Sequence, residues 1–144
     1  MSDLATYLPA GLPIPVPEND GLDKPYWDAA RRSELLVQRC KACGTFQWGP
    51  EWVCWRCGSD DIGWEDVAPT GVIYSWERVW HPVHPALVAS VPYVVVLVEL
   101  PHADNIRMIG NLLGDRRQEV PIGAAVHADF EDHDGYTLVQ WALD

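Results

Sequence analysis

The sequence predicts a mainly β protein in three parts: an N-terminal arm and helix over residues 1–34, a four-cysteine ribbon over 35–68 and a five-stranded barrel over 69–144. Three observations predict it. The only four cysteines form two pairs, Cys40-x-x-Cys43 and Cys54-x-x-Cys57. Five runs rich in Val, Ile, Tyr and Trp follow them, each bounded by Gly, Pro or Asp. The first twenty residues carry Pro9, Pro13, Pro15 and Pro17 and little charge, a composition that favours extended polyproline-like backbone.

Within that first segment, Met1 to Thr6 read as a tail. From Tyr7 to Val16, Tyr7, Leu8, Leu12, Ile14 and Val16 alternate with proline, which suits an arm lying on a partner. Asp23-Lys24-Pro25 reads as a helix start, a capping acid followed by proline in the first turn, with the helix running to about Glu34. Tyr26, Ala29, Ala30 and Ser33 share one face of it. Leu35 to Arg39 then leads as a short strand into the cysteines.

A C-x-x-C turn aims two thiolates at one point, and Gly44 and Gly58, which follow the pairs, can take the positive φ that closes each turn. Two such turns complete one tetrahedral site, so Cys40, Cys43, Cys54 and Cys57 predict a single structural zinc; the same ligand set would also take iron. A disulfide reading needs an oxidising compartment, whereas residues 1–12 show neither a basic nor an apolar leader region, so the chain reads as cytoplasmic. A redox reading needs one reactive pair at a strand-to-helix junction, and here two equivalent pairs stand among tryptophans. With four thiolates on the metal no position is left for substrate.

The five runs are 71–80, 91–100, 105–113, 123–131 and 136–143. No helical pattern of any length interrupts them, and five strands in about 75 residues fit the OB-fold. The stretch from Pro92 to Glu99 is apolar at both parities and reads as the central strand, buried on both faces. Asp134-Gly135 marks a hairpin between the last two strands. The loops expected to face a ligand are 81–90 and 132–135.

Net charge is −11, and it is uneven: residues 1–57 net −1 and residues 58–144 net −10. An OB-fold with exposed aromatics could bind single-stranded nucleic acid, but an acidic barrel repels a polyanion, so no nucleic acid is expected. The longest apolar stretch, Val91 to Leu100, is ten residues and holds Pro92 and Glu99, too short for a helical membrane span.

The order of a short helix, Leu35-Leu-Val-Gln-Arg-Cys40, a ribbon ending Cys54-Trp-Arg-Cys57-Gly58, then Gly71-Val-Ile-Tyr-Ser-Trp76, Val91-Pro-Tyr-Val-Val95 and Ile109-Gly-Asn-Leu112 resembles the zinc-ribbon/OB-fold proteins found beside thiolase-like and hydratase enzymes. The likeness covers about residues 22–143. It implies a subunit of an acyl-CoA pathway, not catalytic by itself, that joins a thiolase or steroid side-chain retro-aldolase in a hetero-oligomer; some relatives are fused or bound to MaoC-type hydratases. Trp55 departs from the proline common at that ribbon position.

No nucleophile–base pair is legible in the sequence. His81-Pro-Val-His84-Pro would place two imidazoles on one side of a polyproline turn, yet no third ligand is in view, so a protein contact is the simpler reading. Glu131-Asp132-His133-Asp134 reads as a solvated hairpin tip. Trp64, Trp76 and Trp141 read as core. Trp48, Trp52 and Trp55 on the small ribbon and Trp80 beside the His81–His84 loop cannot all be interior, and several should face a partner. Arg31, Arg32, Arg39 and Lys41 are the basic group placed to meet the phosphates of coenzyme A.

Overall fold

A computed structural model describes residues 6–144, so the reading of Met1 to Thr6 as a tail lies largely outside the described residues. Helix α1 spans Lys24–Arg31, with Pro25 in its first turn as expected. It stops short of Glu34 because Ser33 turns left-handed (φ 59°), and the N–H groups of Ser33 and Glu34 bond back to Ala30 and Ala29, a closing pattern for a helix C-terminus. Asp23 does not cap it. Its carboxylate accepts instead from the Glu18 N–H and the Trp27 indole N–H, pinning the incoming chain to the helix.

Strands β1 (Leu35–Cys40), β2 (Phe46–Gln47) and β3 (Ile62–Val67) form an antiparallel sheet in the order β2-β1-β3. Strands β4 (Thr70–Val79), β5 (Tyr93–Leu100), β6 (Ile106–Asn111), β7 (Ala125–Asp132) and β8 (Thr137–Leu143) form the second, in the order β6-β5-β4-β7-β8. All five predicted runs are strands. The two ends of this sheet meet where Leu112 bridges Trp141 in parallel and the Leu113 N–H donates to the Trp141 carbonyl, so the barrel is nearly closed. The approach needs glycine at position 110: a Cβ there would stand 2.8 Å from both the Trp141 ring and the Val139 carbonyl.

The sequence expectation for β5 is corrected in two respects. The middle strand of the sheet is β4, and β5 is not buried equally on both faces. Val94, Val96, Val98 and Leu100 are fully buried inside the barrel, while Val95 and Leu97 on the other parity are half-buried. That outer face is apolar because the N-terminal arm covers part of it: Tyr7, Leu8 and Leu12 pack with Leu87, Tyr93, Val95 and Leu113. The arm therefore packs, over Tyr7 to Leu12, on its own barrel, whereas Ile14 and Val16 stay exposed.

One core runs through both sheets. Ala30 of the helix and Leu35, Val37, Phe46 and Val67 of the ribbon sheet pack in the same cluster as Ile73, Val96, Val126 and Trp141 of the barrel. At about 25 cal/mol per Å² of apolar surface, this shared burial holds the ribbon against the barrel. No helix among the described residues is long and apolar enough to cross a membrane.

Candidate metal centre and surrounding surface

Cys40 ends β1, Cys43 follows in the turn to β2, and Cys54 and Cys57 stand in the loop before β3. The two turns repeat one geometry. Gly44 (φ 78°) donates its N–H to the Cys40 carbonyl and Gly58 (φ 75°) donates to that of Cys54, at 2.8 and 2.9 Å. The Cys43 and Arg56 N–H groups point at the Cys40 and Cys54 sulfurs. All four Sγ atoms lie within 4.8 Å of one another, and the Cys40–Cys57 and Cys43–Cys54 pairs are 3.6 Å apart. A tetrahedron with Zn–S bonds of about 2.3 Å has edges of roughly 3.8 Å, so the donor set fits one structural zinc. Hydrogen bonds at Thr45 lower the Cys43 thiol to about 6, whereas Cys57, despite a backbone hydrogen bond at Ser59, is pushed up to about 11 by burial and the neighbouring thiols.

Two glutamines that sequence reasoning did not single out organise the loop between the knuckles. Gln38 and Gln47 are buried and joined by a 2.8 Å bond from Gln47 Nε2 to Gln38 Oε1. Gln38 clamps Glu51 through both its N–H and its carbonyl, and Gln47 donates to the Val53 carbonyl and accepts the Trp55 N–H. Buried amides whose oxygen and nitrogen both have partners hold a loop in one shape. No signal in the sequence singles them out, because a glutamine on a strand shows its partner only when the loop folds over it.

The tryptophans divide accordingly. Trp52 and Trp55 on that loop are 58% and 71% exposed, and Trp80 at the end of β4 is 55% exposed beneath the Arg117 guanidinium. Trp48 is half-buried, edge-on to Tyr26 at 4.7 Å and packed against the core. Of the three read as core, Trp141 is fully buried, Trp64 is half-buried, and Trp76 is partly exposed, because its stretch of β4 extends past the paired strand β7.

His81 is exposed. His84 uses Nδ1 to accept the Ala86 N–H, opening a 3-10 turn at Pro85–Leu87. Among the described residues the cysteines are the one group arranged to hold a metal. Three of the four basic residues considered for phosphate have partners within the chain. Arg31 donates to the carbonyls of His133 and Tyr136, Arg32 pairs with Glu34, and Arg39 pairs with Glu65. The Lys41 side chain has none among the described residues.

Glu131 and His133 are not a solvated tip. Their side chains are 11% and 20% exposed and meet at 2.6 Å, and the other Glu131 oxygen accepts the Tyr7 N–H at 3.0 Å. The arm meets Glu131 through Tyr7, and the Tyr136 ring stacks on His133.

A four-thiolate ribbon packed on a nearly closed five-stranded barrel defines the class: a zinc-ribbon/OB-fold protein. The profile described as ChsH2, rubredoxin-like zinc ribbon domain, matches residues 27–63, and that of the ChsH2 C-terminal OB-fold domain matches residues 64–131. The chain is 34% identical to a chain of the Ltp2-ChsH2(DUF35) aldolase, with a TM-score of 0.77 over 90% of this chain and 98% of that one. It belongs to the ChsH2 (DUF35) family. It is also 39% identical over 113 residues to a probable enoyl-CoA hydratase alpha subunit of Thermomonospora curvata, and 30% identical over 149 aligned positions to the 3-oxo-4,17-pregnadiene-20-carboxyl-CoA hydratase alpha subunit of Mycobacterium tuberculosis. The matches take up 78% and 96% of this chain but only 34% and 46% of those proteins. A DUF35 protein of unknown function from Sulfolobus solfataricus shares the fold, at 14% identity and a TM-score of 0.57.

Proposed function

We propose that this chain is a companion subunit that binds and supports a thiolase-like enzyme, a thiolase or retro-aldolase acting on acyl-CoA thioesters in steroid side-chain or other lipid breakdown, and is not catalytic alone. The observation that carries this reading is the likeness to a chain of the Ltp2-ChsH2(DUF35) aldolase across nearly the whole of both chains. The interface would comprise Trp52 and Trp55 on the ribbon, Trp80, His81 and His84 beside the barrel, and the exposed arm residues Ile14 and Val16. Trp48 supports the ribbon side from behind. Aromatic groups fixed on rigid elements are the usual anchors of such contacts. Any direct contact with CoA phosphate falls to Lys41, whose charge is uncommitted.

The test is affinity purification of the tagged chain from its native extract, identification of the co-purifying enzyme, and assay of each component apart and together. The expected result is a thiolase-fold enzyme whose activity or solubility depends on this chain. Turnover of an acyl-CoA by the isolated chain at a rate the captured enzyme does not change would overturn the reading.

A further inference from the structure

Between the N-terminal segment and the ribbon lies a cleft of about 200 Å³, lined by Leu22, Pro25, Trp52 and Trp64 and by the acidic residues Glu51 and Asp60. No lysine or arginine lines it. Neither residue forms an ion pair among the described residues, where five other acidic residues pair with lysine or arginine. Two tryptophans and two unpaired acidic residues lining one cleft are the residue types that recognise a cation, since an indole face attracts positive charge and a carboxylate accepts N–H groups.

The cleft is also held in shape before anything enters it. Gln38, 2% exposed, reaches its floor, accepting the Glu51 N–H at 2.9 Å and donating to the Glu51 carbonyl at 3.1 Å. One buried side chain thus fixes the backbone that carries both Glu51 and Trp52. A site fixed in advance loses less side-chain freedom on binding. The charge that selects a cation is local to the cleft: Glu51 and Asp60 line it and no basic residue does.

We propose that this cleft receives an arginine side chain of the companion enzyme. Guanidinium is preferred over ammonium because its plane stacks on an indole while its fork meets a carboxylate. A protein source fits the position of the cleft, whose rim residue Trp52 is exposed on the same loop as the exposed Trp55. The source of the arginine rests on the companion-subunit reading; the chemistry of the cleft does not, and it can be measured without a partner.

The experiment titrates the full zinc-loaded chain, with tryptophan indoles labelled by ¹⁵N and assigned by single Trp→Phe variants, against N-acetyl-arginine amide, N-acetyl-lysine amide and the uncharged near-isostere N-acetyl-citrulline amide. Saturable shifts of the Trp52 and Trp64 signals are expected with arginine, with affinity about fivefold or more above that for citrulline and falling with salt. Glu51→Gln combined with Asp60→Asn should abolish the preference while leaving the other indole signals in place. Equal responses to arginine and citrulline, equal binding of lysine, no saturable shift, or an unchanged double variant would each overturn the proposal. A complex with a captured enzyme that forms although no probe binds would remove the cleft and leave the companion reading standing. Probe binding by a chain that captures no enzyme would do the reverse.

Discussion

The Tyr7 hydroxyl accepts the backbone N–H of Val94 at 2.8 Å, across eighty-seven residues of chain. Val94 lies in β5, the second strand of the barrel sheet, so the arm satisfies a backbone donor that the barrel itself leaves unpaired. Arg116 stacks on the Tyr7 ring and bonds to the Tyr7 carbonyl, and Glu131 accepts its N–H.

Tyr7→Phe should therefore destabilise the barrel by about 1–3 kcal/mol, because it leaves the buried Val94 N–H without an acceptor while retaining the ring. Tyr7→Ala should cost about 3–5 kcal/mol, adding a cavity beside Leu87 and Tyr93. Urea denaturation of the two variants measures both. Equal stability of wild type and Tyr7→Phe would mean that the hydroxyl contributes nothing.

Zinc should bind at one equivalent per chain through Cys40, Cys43, Cys54 and Cys57. Chelation, or Cys43→Ser, should loosen the loop that carries Trp52 and Trp55, since metal binding and folding of a small ribbon are coupled. Metal analysis together with tryptophan fluorescence reads the effect. Less than half an equivalent of zinc in carefully prepared protein, or iron with a rubredoxin-like spectrum, would contradict it.

Burial pushes the Tyr26 hydroxyl up to about 12. The unfolded chain ionises this group near its ordinary value of about 10, so the folded state holds the extra proton between the two values. Stability is then intact below about pH 10 and is lost as pH rises toward 12, on the order of 2 kcal/mol in all. Denaturation at a series of alkaline pH values should show a smaller loss for Tyr26→Phe than for wild type; parallel curves would refute the assignment.

Trp80→Ala should weaken the complex with the companion enzyme by on the order of 2 kcal/mol or more if the indole is a central anchor. Zinc content and circular dichroism should be unchanged, because the side chain is exposed at the end of β4. Gel filtration of the mixture reads the association, and full retention of the complex would place Trp80 outside the interface.

The metal centre was legible in full from the sequence because its geometry is local: each C-x-x-C-G fixes two sulfurs within one turn, and only the meeting of the two turns is tertiary. The strands were legible because alternation and Gly, Pro or Asp boundaries are properties of short segments. Gln38 and Gln47 were not, since a glutamine on a strand declares its partner only when the loop from Glu51 to Trp55 folds over it. Nor was the helix stop at Ser33, where closure depends on a left-handed backbone that serine does not announce.

By itself, then, the sequence determined the four-thiolate ligand set, the five strand segments and an acidic barrel half, all set by residue type and near-neighbour spacing. The tertiary structure alone decided which strand is central, where the arm lies, and which tryptophans reach solvent. Those outcomes depend on contacts between residues far apart in the chain, such as Tyr7 with Val94 and Trp141 with Gly110, whose joint burial no single segment encodes.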